Sequence, residues 1–178
     1  MFSICKTFNL IGFVFFAVFL SCDEAEIAEN VTLTLEYIID EDDKDFESQD
    51  LMNAFDESQV LRNYGNNITG IEIKSIACYL TYFTGPATQQ INEGILEVAD
   101  RDGAGSAIIG SITDENLQNL LYTQKKIILQ SEGKERLEKL IQNDPHEFRL
   151  NLSGASNQAP NEYTLILEIA LQMIAKPL

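Results

Sequence analysis

Two side chains of this sequence could together supply nucleophilic chemistry, Cys78 and His146. A thiolate nucleophile needs a neighbouring base, and His146 is the only histidine among the 178 residues. Cys78 lies between Ile76 and Leu80 in a stretch with strand-like alternation, where a thiol packs as a small hydrophobe. His146 follows Asp144-Pro145 at a predicted helix end, where a cation near the last carbonyls is favourable. We therefore predict a core cysteine and a solvated turn histidine, and no catalytic pair.

Carboxylates are the other possible source of chemistry. One histidine and few cysteines cannot build a zinc or iron site, which needs a cluster of such ligands. Calcium prefers oxygen ligands, but neither acidic segment has the glycine and glutamate spacing of an EF-hand loop. We expect solvated acidic loops and no metal site, with weak calcium binding as the alternative. The segments concerned contain Asp40, Asp42, Asp43 and Asp45 in one case and Asp100 with Asp102 in the other.

The glycine-rich stretch Gly103-Ala104-Gly105-Ser106 fits neither nucleotide-binding pattern. The dinucleotide motif would need glycine at Ile108, and the phosphate-binding loop needs lysine followed by serine or threonine. The hydrolase motif G-x-S-x-G is also missing from the sequence. We predict a hairpin connection here, no cofactor and no enzymatic activity. A glycosidase that uses carboxylates alone remains an alternative, because 28 acidic residues do not single out a pair.

The N-terminal segment has the layout of a secretory signal. A basic residue, Lys6, precedes an apolar run from Phe8 to Leu20, and the small residue Ser21 stands before Cys22. The apolar run is about 13 residues, whereas a membrane-spanning helix needs about 20. We therefore predict that residues 1–21 are a cleaved signal peptide, with a retained helix or an ordinary signal as alternatives.

The residues Phe19-Leu20-Ser21-Cys22 resemble the lipobox of bacterial lipoproteins. The resemblance implies that Cys22 becomes the new N-terminus and carries a diacylglyceryl thioether and an amide-linked acyl chain such as palmitate. The next residues, including Asp23 and Glu24, resemble the acidic export signal of surface lipoproteins of the Bacteroidota. In enteric bacteria, aspartate after the cysteine tends instead to retain a lipoprotein at the inner membrane. We expect an outer-membrane anchor facing outward, with a periplasm-facing anchor as the alternative.

Size and charge limit the partners of the mature chain. Removing residues 1–21 from 178 leaves 157, which suits one domain with its own core. Loss of Lys6 takes the formal charge from -16 to -17. Nucleic acid is an improbable partner, because binding requires a basic surface that neutralises phosphates. The membrane would be reached through the lipid at Cys22, since this charge disfavours adsorption to anionic lipid.

Hydrophobic periodicity favours a mainly β fold. Alternation with period two predicts strands, and apolar residues at helical spacing predict helices starting at Ser48, capped by Thr113, and spanning Gly133–Gln142. In the strand from Ile71 to Phe83 the later apolar set, Ile76, Cys78, Leu80 and Tyr82, is out of phase with Ile71 and Ile73. A bulge near Ser75 would reconcile the two sets. The other predicted strands are Val31–Ile39, Ile95–Ala99, Ala107–Ile112, Lys125–Gln130, Phe148–Leu152 and Tyr163–Ala175.

These elements predict a lipidated tether, residues 22–30, followed by one domain, residues 31–178. We expect an antiparallel β-sandwich of about seven strands with two or three helices in its connections. The alternative is an α+β fold with one curved antiparallel sheet and helices on one face. The predicted function is a non-enzymatic, membrane-anchored binding or structural module for a protein, a glycan or another envelope component. An alternative is a carrier that holds an acyl chain or isoprenoid in an apolar cavity.

Overall fold

The computed structural model describes residues 26–178. The predicted signal peptide, Cys22, Asp23 and Glu24 lie outside the described residues. Within them the chain forms nine strands, four short α-helices and one turn of 3-10 helix (Gly65–Asn67). The strands are β1 (Ile27–Glu41), β2 (Asp45–Asn53), β3 (Ile68–Phe83), β4 (Gln90–Asp100), β5 (Ala107–Asn116), β6 (Lys125–Lys126), β7 (Ile128–Leu129), β8 (Glu147–Ser156) and β9 (Asn161–Ala175). The helices are α1 (Ala54–Glu57), α2 (Gln59–Tyr64), α3 (Leu117–Leu120) and α4 (Ser131–Gln142).

The strands form two antiparallel sheets. The four-stranded sheet has the order β1-β9-β3-β6, and the five-stranded sheet has the order β2-β8-β4-β5-β7. Apolar side chains of both sheets and of α4 make one buried cluster between them. The predicted antiparallel β-sandwich is therefore confirmed, and the single-sheet alternative is wrong. Strand β1 begins at Ile27, so the last four residues of the predicted tether already belong to the sheet.

Strand β9 lies at the centre of the four-stranded sheet. It pairs with β1 over 15 residues without a break and with β3 on its other edge. Its odd-numbered side chains alternate into the core, as the sequence predicted. These buried residues are Tyr163, Leu165, Leu167, Ile169, Leu171, Met173 and Ala175.

Strand β3 contains the predicted bulge and two further register shifts. The register against β9 shifts between Ile73 and Ser75, which confirms the predicted irregularity. One further shift lies at the start of the strand, between Ile68 and Gly70. The other, between Leu80 and Tyr82, was not predicted, and we call it the second bulge because it follows the one at Ser75. Because an extra residue reverses the facing of the next side chain, Tyr82 points away from the core instead of joining Leu80 inside it.

The prediction of a helix starting at Ser48 is wrong. Residues from Asp45 to Asn53 form β2, which pairs with β8 in an unbroken register and buries Phe46 and Met52. Helix α1 begins only after Asn53, whose side chain caps it, and Ser58 caps α2 in the same way. The predicted acidic loop shrinks to a turn at residues 42–44, because cross-strand pairing with β8 stabilises the remainder as a strand.

Two smaller predictions also need correction. Thr113 lies within β5, and Asn116 is the residue whose side chain caps α3. The predicted strand Lys125–Gln130 divides into β6, which joins the four-stranded sheet, and β7, which joins the five-stranded one. This segment therefore crosses from one sheet to the other along one side of the sandwich.

Helix α4 packs closely on β5 through a glycine. A β-carbon on Gly133 would overlap with the main-chain carbonyl of Ile108. The helix buries Leu137 and Ile141 on the same side. The absence of a side chain at Gly133 thus sets how closely α4 approaches the sheet.

Replacement of this glycine by alanine should destabilise the protein, although alanine favours helices by about 1 kcal/mol. We expect Gly133→Ala to lower the free energy of unfolding by about 1 to 3 kcal/mol, because the added methyl group forces the helix away from β5. Urea unfolding of the full chain measures this, with Glu132→Ala at the exposed neighbouring position as the control. A Gly133→Ala protein as stable as wild type would contradict the close packing.

Candidate functional site

Cys78 is a core residue, as predicted. Its side chain is 1% exposed, and burial raises the pKa of the thiol to about 11. It lines an apolar cavity of about 20 Å³ between the sheets, together with Leu96, Leu152 and Leu167. That volume is enough for about one water molecule, whereas ligand pockets usually measure about 300 to 1,000 Å³. The interior between the sheets is therefore filled by side chains.

His146 is not the solvated turn residue that the sequence predicted. Its ring stacks on Phe55, with centroids 3.6 Å apart and planes 10° from parallel. Its Nδ1 lies 2.9 Å from the carbonyl oxygen of Ile141, and because a carbonyl only accepts, Nδ1 donates the proton. The predicted position at a helix end is correct, but the ring is half-buried and fixes the end of α4 against α1. Cys78 is not among its contacts.

The second acidic segment borders an open groove of about 530 Å³ beside the β4–β5 hairpin. Of the four carboxylates that line this groove, three already form a hydrogen bond or an ion pair within the protein. Asp100 bonds to Arg136 at 2.8 Å, Asp102 accepts from the amide of Ala104, and Glu147 pairs with Arg101 at 2.8 Å. This bonding supports a structural role for the hairpin. The groove is lined by Asp100, Arg101, Asp102, Leu140, Asp144, Pro145 and Glu147.

In residues 26–178 no three histidine, cysteine, aspartate or glutamate side chains converge as a metal site would require. The aspartates at positions 40, 42, 43 and 45 are all exposed.

The glycine-rich stretch forms the predicted hairpin, in which Gly103 and Gly105 adopt positive φ angles of 86° and 60°. It connects β4 to β5 and holds Arg136 through the carbonyl of Ala104.

The most distinctive surface is the outward face of the four-stranded sheet near one end. We call it the tyrosine face and define it by Ile38, Tyr79, Tyr82 and Ile166, with Tyr122 at the adjoining edge. Ile38 and Tyr82 lie on either side of Thr164 in one cross-strand row, and Tyr79 pairs with Ile166 in another. The amide of Tyr122 donates to the carbonyl of Leu80, which places it beside β3. Ile38 is 69% exposed, Tyr82 47% and Tyr122 74%.

Glutamates hold two of these tyrosines in place. The Tyr82 hydroxyl donates to Glu162 at 3.0 Å, and Thr84 donates to the other oxygen of that carboxylate at 2.8 Å. The hydrogen bond from Tyr82 to Glu162 raises the pKa of Tyr82. On the next row Tyr79 donates to Glu168 at 3.4 Å, and burial with the charge of that carboxylate raises the pKa of Tyr79.

The tyrosine face is rich in carboxylates, and Lys126 of β6 is the cation at the end of the row that contains Glu168. Glu162 and Glu168 lie on β9, and Glu36 and Asp40 point outward from β1 in the neighbouring rows. None of these four carboxylates forms an ion pair with a described residue. The face therefore combines exposed aromatic and aliphatic side chains with uncompensated negative charge.

Sequence reasoning did not find this face. It placed Tyr82 in the core, because the second bulge of β3 has no signal in the local pattern. The other residues come from four separate segments, and only the strand order brings them together. On the even-numbered side of β9, Ile166 is 7% exposed, so the middle of the face is partly covered by its neighbours.

No described helix has both the length and the apolar character needed to span a membrane.

The chain has low similarity to known proteins. No protein-family model matches the chain, and no curated protein matches it. Among solved structures the chain is similar to one of Desmodium yellow mottle tymovirus, with 10% identity, a TM-score of 0.31, and coverage of 100% of this chain and 95% of that one. It is also similar to a structure of turnip yellow mosaic virus, with 9% identity and a TM-score of 0.36. That match covers 100% of this chain and 91% of the viral one. The chain is also similar to the decameric BFDV capsid protein, with 11% identity and a TM-score of 0.36. That match covers 84% of this chain and 99% of the capsid protein. Similarity at these scores carries no functional argument.

The burial of Cys78 predicts that its thiol is unreactive in the native protein. At about pH 8 the thiol stays neutral and shielded, so iodoacetamide should modify Cys78 only after unfolding in urea. The unfolded thiol ionises near its ordinary pKa of 9.0, and the folded one only near 11. The contribution of Cys78 to stability is therefore full below about pH 9 and decreases as the pH rises towards 11.

Peptide-level mass spectrometry at Cys78 measures the alkylation, and urea unfolding at several pH values measures the stability. A Cys78→Ala variant should lose this part of the pH dependence. Rapid alkylation of the native protein would be inconsistent with a core position.

Proposed function

We propose that this protein is a lipid-anchored envelope protein that binds a protein partner, without enzymatic activity, through the tyrosine face. The observation that carries the proposal is the outward row of Ile38 and Tyr82, which lies beside uncompensated carboxylates. The proposed anchor is the acylated Cys22, with Asp23 and Glu24 as its export signal and the outer surface of the outer membrane as its location.

Tyrosine is well suited to a binding surface of this kind. Its ring contributes a large contact area with few rotatable bonds, and its hydroxyl forms hydrogen bonds at a wet rim. Here Glu162 and Thr84 fix the Tyr82 side chain before any partner arrives, which lowers the conformational entropy lost on binding. The carboxylates around the face would attract a partner with complementary basic side chains.

The position of the face supports an anchor at the opposite end of the domain. Strand β1 begins five residues after Cys22, and five residues span at most about 18 Å. The strand contains 15 residues at about 3.4 Å each, so Glu41 lies roughly 45 to 50 Å from Ile27. Ile38, and Tyr82 in the same cross-strand row, lie near the Glu41 end. An anchored molecule would thus present the tyrosine face away from the membrane.

The acyl-chain or isoprenoid carrier lacks a comparable observation in its favour. A carrier needs a cavity of several hundred Å³, whereas the apolar cavity beside Cys78 measures about 20 Å³. A glycan is the remaining alternative occupant of the tyrosine face, because sugar rings also stack on tyrosine. The cross-linking experiment below distinguishes it from a protein.

The proposed anchor predicts the chemistry of the mature N-terminus. In the native host, the N-terminal peptide of the mature protein should begin at Cys22 and carry covalent acyl chains. Mass spectrometry of the membrane fraction measures both. Cys22→Ser should abolish acylation, whereas Cys5→Ser, which lies in the predicted signal peptide, should leave it intact. A mature chain that begins elsewhere, or that begins at Cys22 without acyl chains, would refute the anchor.

The proposed binding surface predicts where a partner can be captured. A photo-cross-linking amino acid at Tyr82 should give a discrete adduct of protein mass on intact cells. The same group at Ile128, which is 83% exposed on the other sheet, should not. Excess purified wild-type protein should reduce the adduct, and protein with Ile38→Ser should compete at least about fivefold less well, because truncating a central interface residue weakens binding. An adduct with sugar alone would indicate the glycan alternative, and equal capture from Ile128 would contradict the site.

A further inference from the structure

The sandwich is closed along one side and open along the other. On the closed side, β6 and the segment leading to β7 cover part of β3, and the amide of Ile127 donates to the carbonyl of Ile76. Helix α4 covers more of β3, since Glu138 accepts from the amide of Ile73 and Gln142 donates to the carbonyl of Thr69. On the opposite side, β1 ends the four-stranded sheet and β2 ends the five-stranded one.

Strand β1 presents a long, regular edge on this open side. Its main chain pairs with β9 alone, and no other described residue bonds to its main-chain groups. The register with β9 continues through all 15 residues without a bulge. The segment Ile27–Glu41 contains no proline, glycine, lysine or arginine. Such an edge has a row of free amides and carbonyls with which an added strand can pair.

The neighbouring edge strand β2 differs in a way that discourages strand addition. Phe46 and Met52 of β2 are buried, so by alternation Asp50 lies on the inward side of that strand. The charge of Asp50 acts on the buried Tyr37 and raises its pKa, in addition to the larger effect of burial. An inward-pointing charge at an edge is a known protection against pairing. In β1 the inward residues from Val31 to Ile39 are apolar and buried, and the inward charge Glu29 lies nearer the start of the strand, outside this stretch.

The charge on this side determines what kind of strand could be added. From Glu36 to Asp50 there are eight carboxylates and one lysine, Lys44. None of these carboxylates forms an ion pair with a described residue. Five of the ten other basic residues in the described chain lie on the closed side, on β6 and α4. An acidic or neutral strand would find no complementary charge here, and a second copy of the chain would bring another formal charge of -16.

From this combination we infer that β1 is a strand-addition site for an extended, basic segment of a partner protein. The inference rests on the proposed role in protein binding and specifies the chemistry of the partner. Main-chain hydrogen bonds along residues 32–40 supply the pairing, and Glu36 and Asp40 select lysine or arginine on the outward side of the added strand. An added strand would also border the exposed Ile38, so it would extend the tyrosine face by one strand.

The test uses the full chain and a synthetic peptide of alternating valine and lysine, matched in length to Thr32–Asp40. We expect it to bind at least about tenfold more tightly than a valine and glutamate peptide of the same length. Hydrogen exchange should show protection of amides in β1 and not in β2. A valine and lysine peptide with alternate main-chain amides methylated keeps its charge but cannot pair, so it should bind at least about tenfold more weakly.

Matched variants separate the charge selection from a general effect of acidity. Glu36→Gln combined with Asp40→Asn should weaken binding of the basic peptide by about fivefold, because two favourable charge pairs are lost. Glu132→Gln combined with Glu135→Gln, at exposed positions of α4, removes the same charge elsewhere and should change the affinity less than twofold. Equal binding of the methylated peptide, or of the acidic one, would overturn the inference.

Analytical ultracentrifugation without peptide tests whether a second copy of the chain occupies the β1 edge instead. A dimer in which β1 amides are protected would assign the edge to a second copy of the chain and overturn the basic partner. The peptide experiment is independent of cross-linking at Tyr82. If the peptide binds but no cross-link forms at Tyr82, the tyrosine face is refuted as a binding surface and the β1 edge stands. If the cross-link forms but the peptide does not bind, only the β1 edge is refuted.

Discussion

The burial of one face of β9 is the constraint on which the rest of the structure depends. Seven alternate side chains, from Tyr163 to Ala175, point into the core, while both main-chain edges of the strand pair with neighbours. A fully buried leucine or isoleucine contributes roughly 1.5 to 3 kcal/mol, so this one strand supplies a large share of the hydrophobic stabilisation. Cys78 is a free, buried thiol, and no disulfide within residues 26–178 adds to this stabilisation. Packing across the two sheets must therefore hold the domain together.

With a core filled in this way, the proposed binding must use the outer surface. The odd-numbered side chains of β9 fill the space against the five-stranded sheet and leave a cavity of about 20 Å³. The even-numbered side chains then form the middle of an outward surface, to which β1 contributes Ile38 and β3 contributes Tyr79 and Tyr82. The second bulge of β3 matters for this reason: it moves one aromatic ring from the core side to the surface, and Glu162 then fixes its hydroxyl group.

The sequence predicts elements whose pattern is local and fails where the deciding contact is distant. Strands β1, β8 and β9 each have one continuous apolar side with period two, and the bulge at Ser75 appears as a phase change within one segment. Strand β2 has only two buried apolar residues, Phe46 and Met52, and its partner β8 lies about a hundred residues further along the chain. No local period could identify it as a strand. The tyrosine face was missed for the same reason, since it exists only after four distant segments pair, and the stacking of His146 on Phe55 also depends on that assembly.

The asymmetry between the two sides of the sandwich has a simple origin in chain order. After β5 the chain runs through α3, β6, β7 and α4 along one side, and these elements cover the edges of β3 and β5. At the other side the turn at residues 42–44 carries β1 into β2, and α1 and α2 then lead from β2 to β3, with Tyr64 donating to Glu29 near the start of β1. The outer main-chain groups of β1 and β2 have no partner among the described residues, and charge is the means left to control which strands pair with them. The carboxylates between Glu36 and Asp50 repel acidic strands, including those of identical copies, and attract basic ones. The same residues that keep such an edge soluble therefore also define the chemistry of a strand that could bind it.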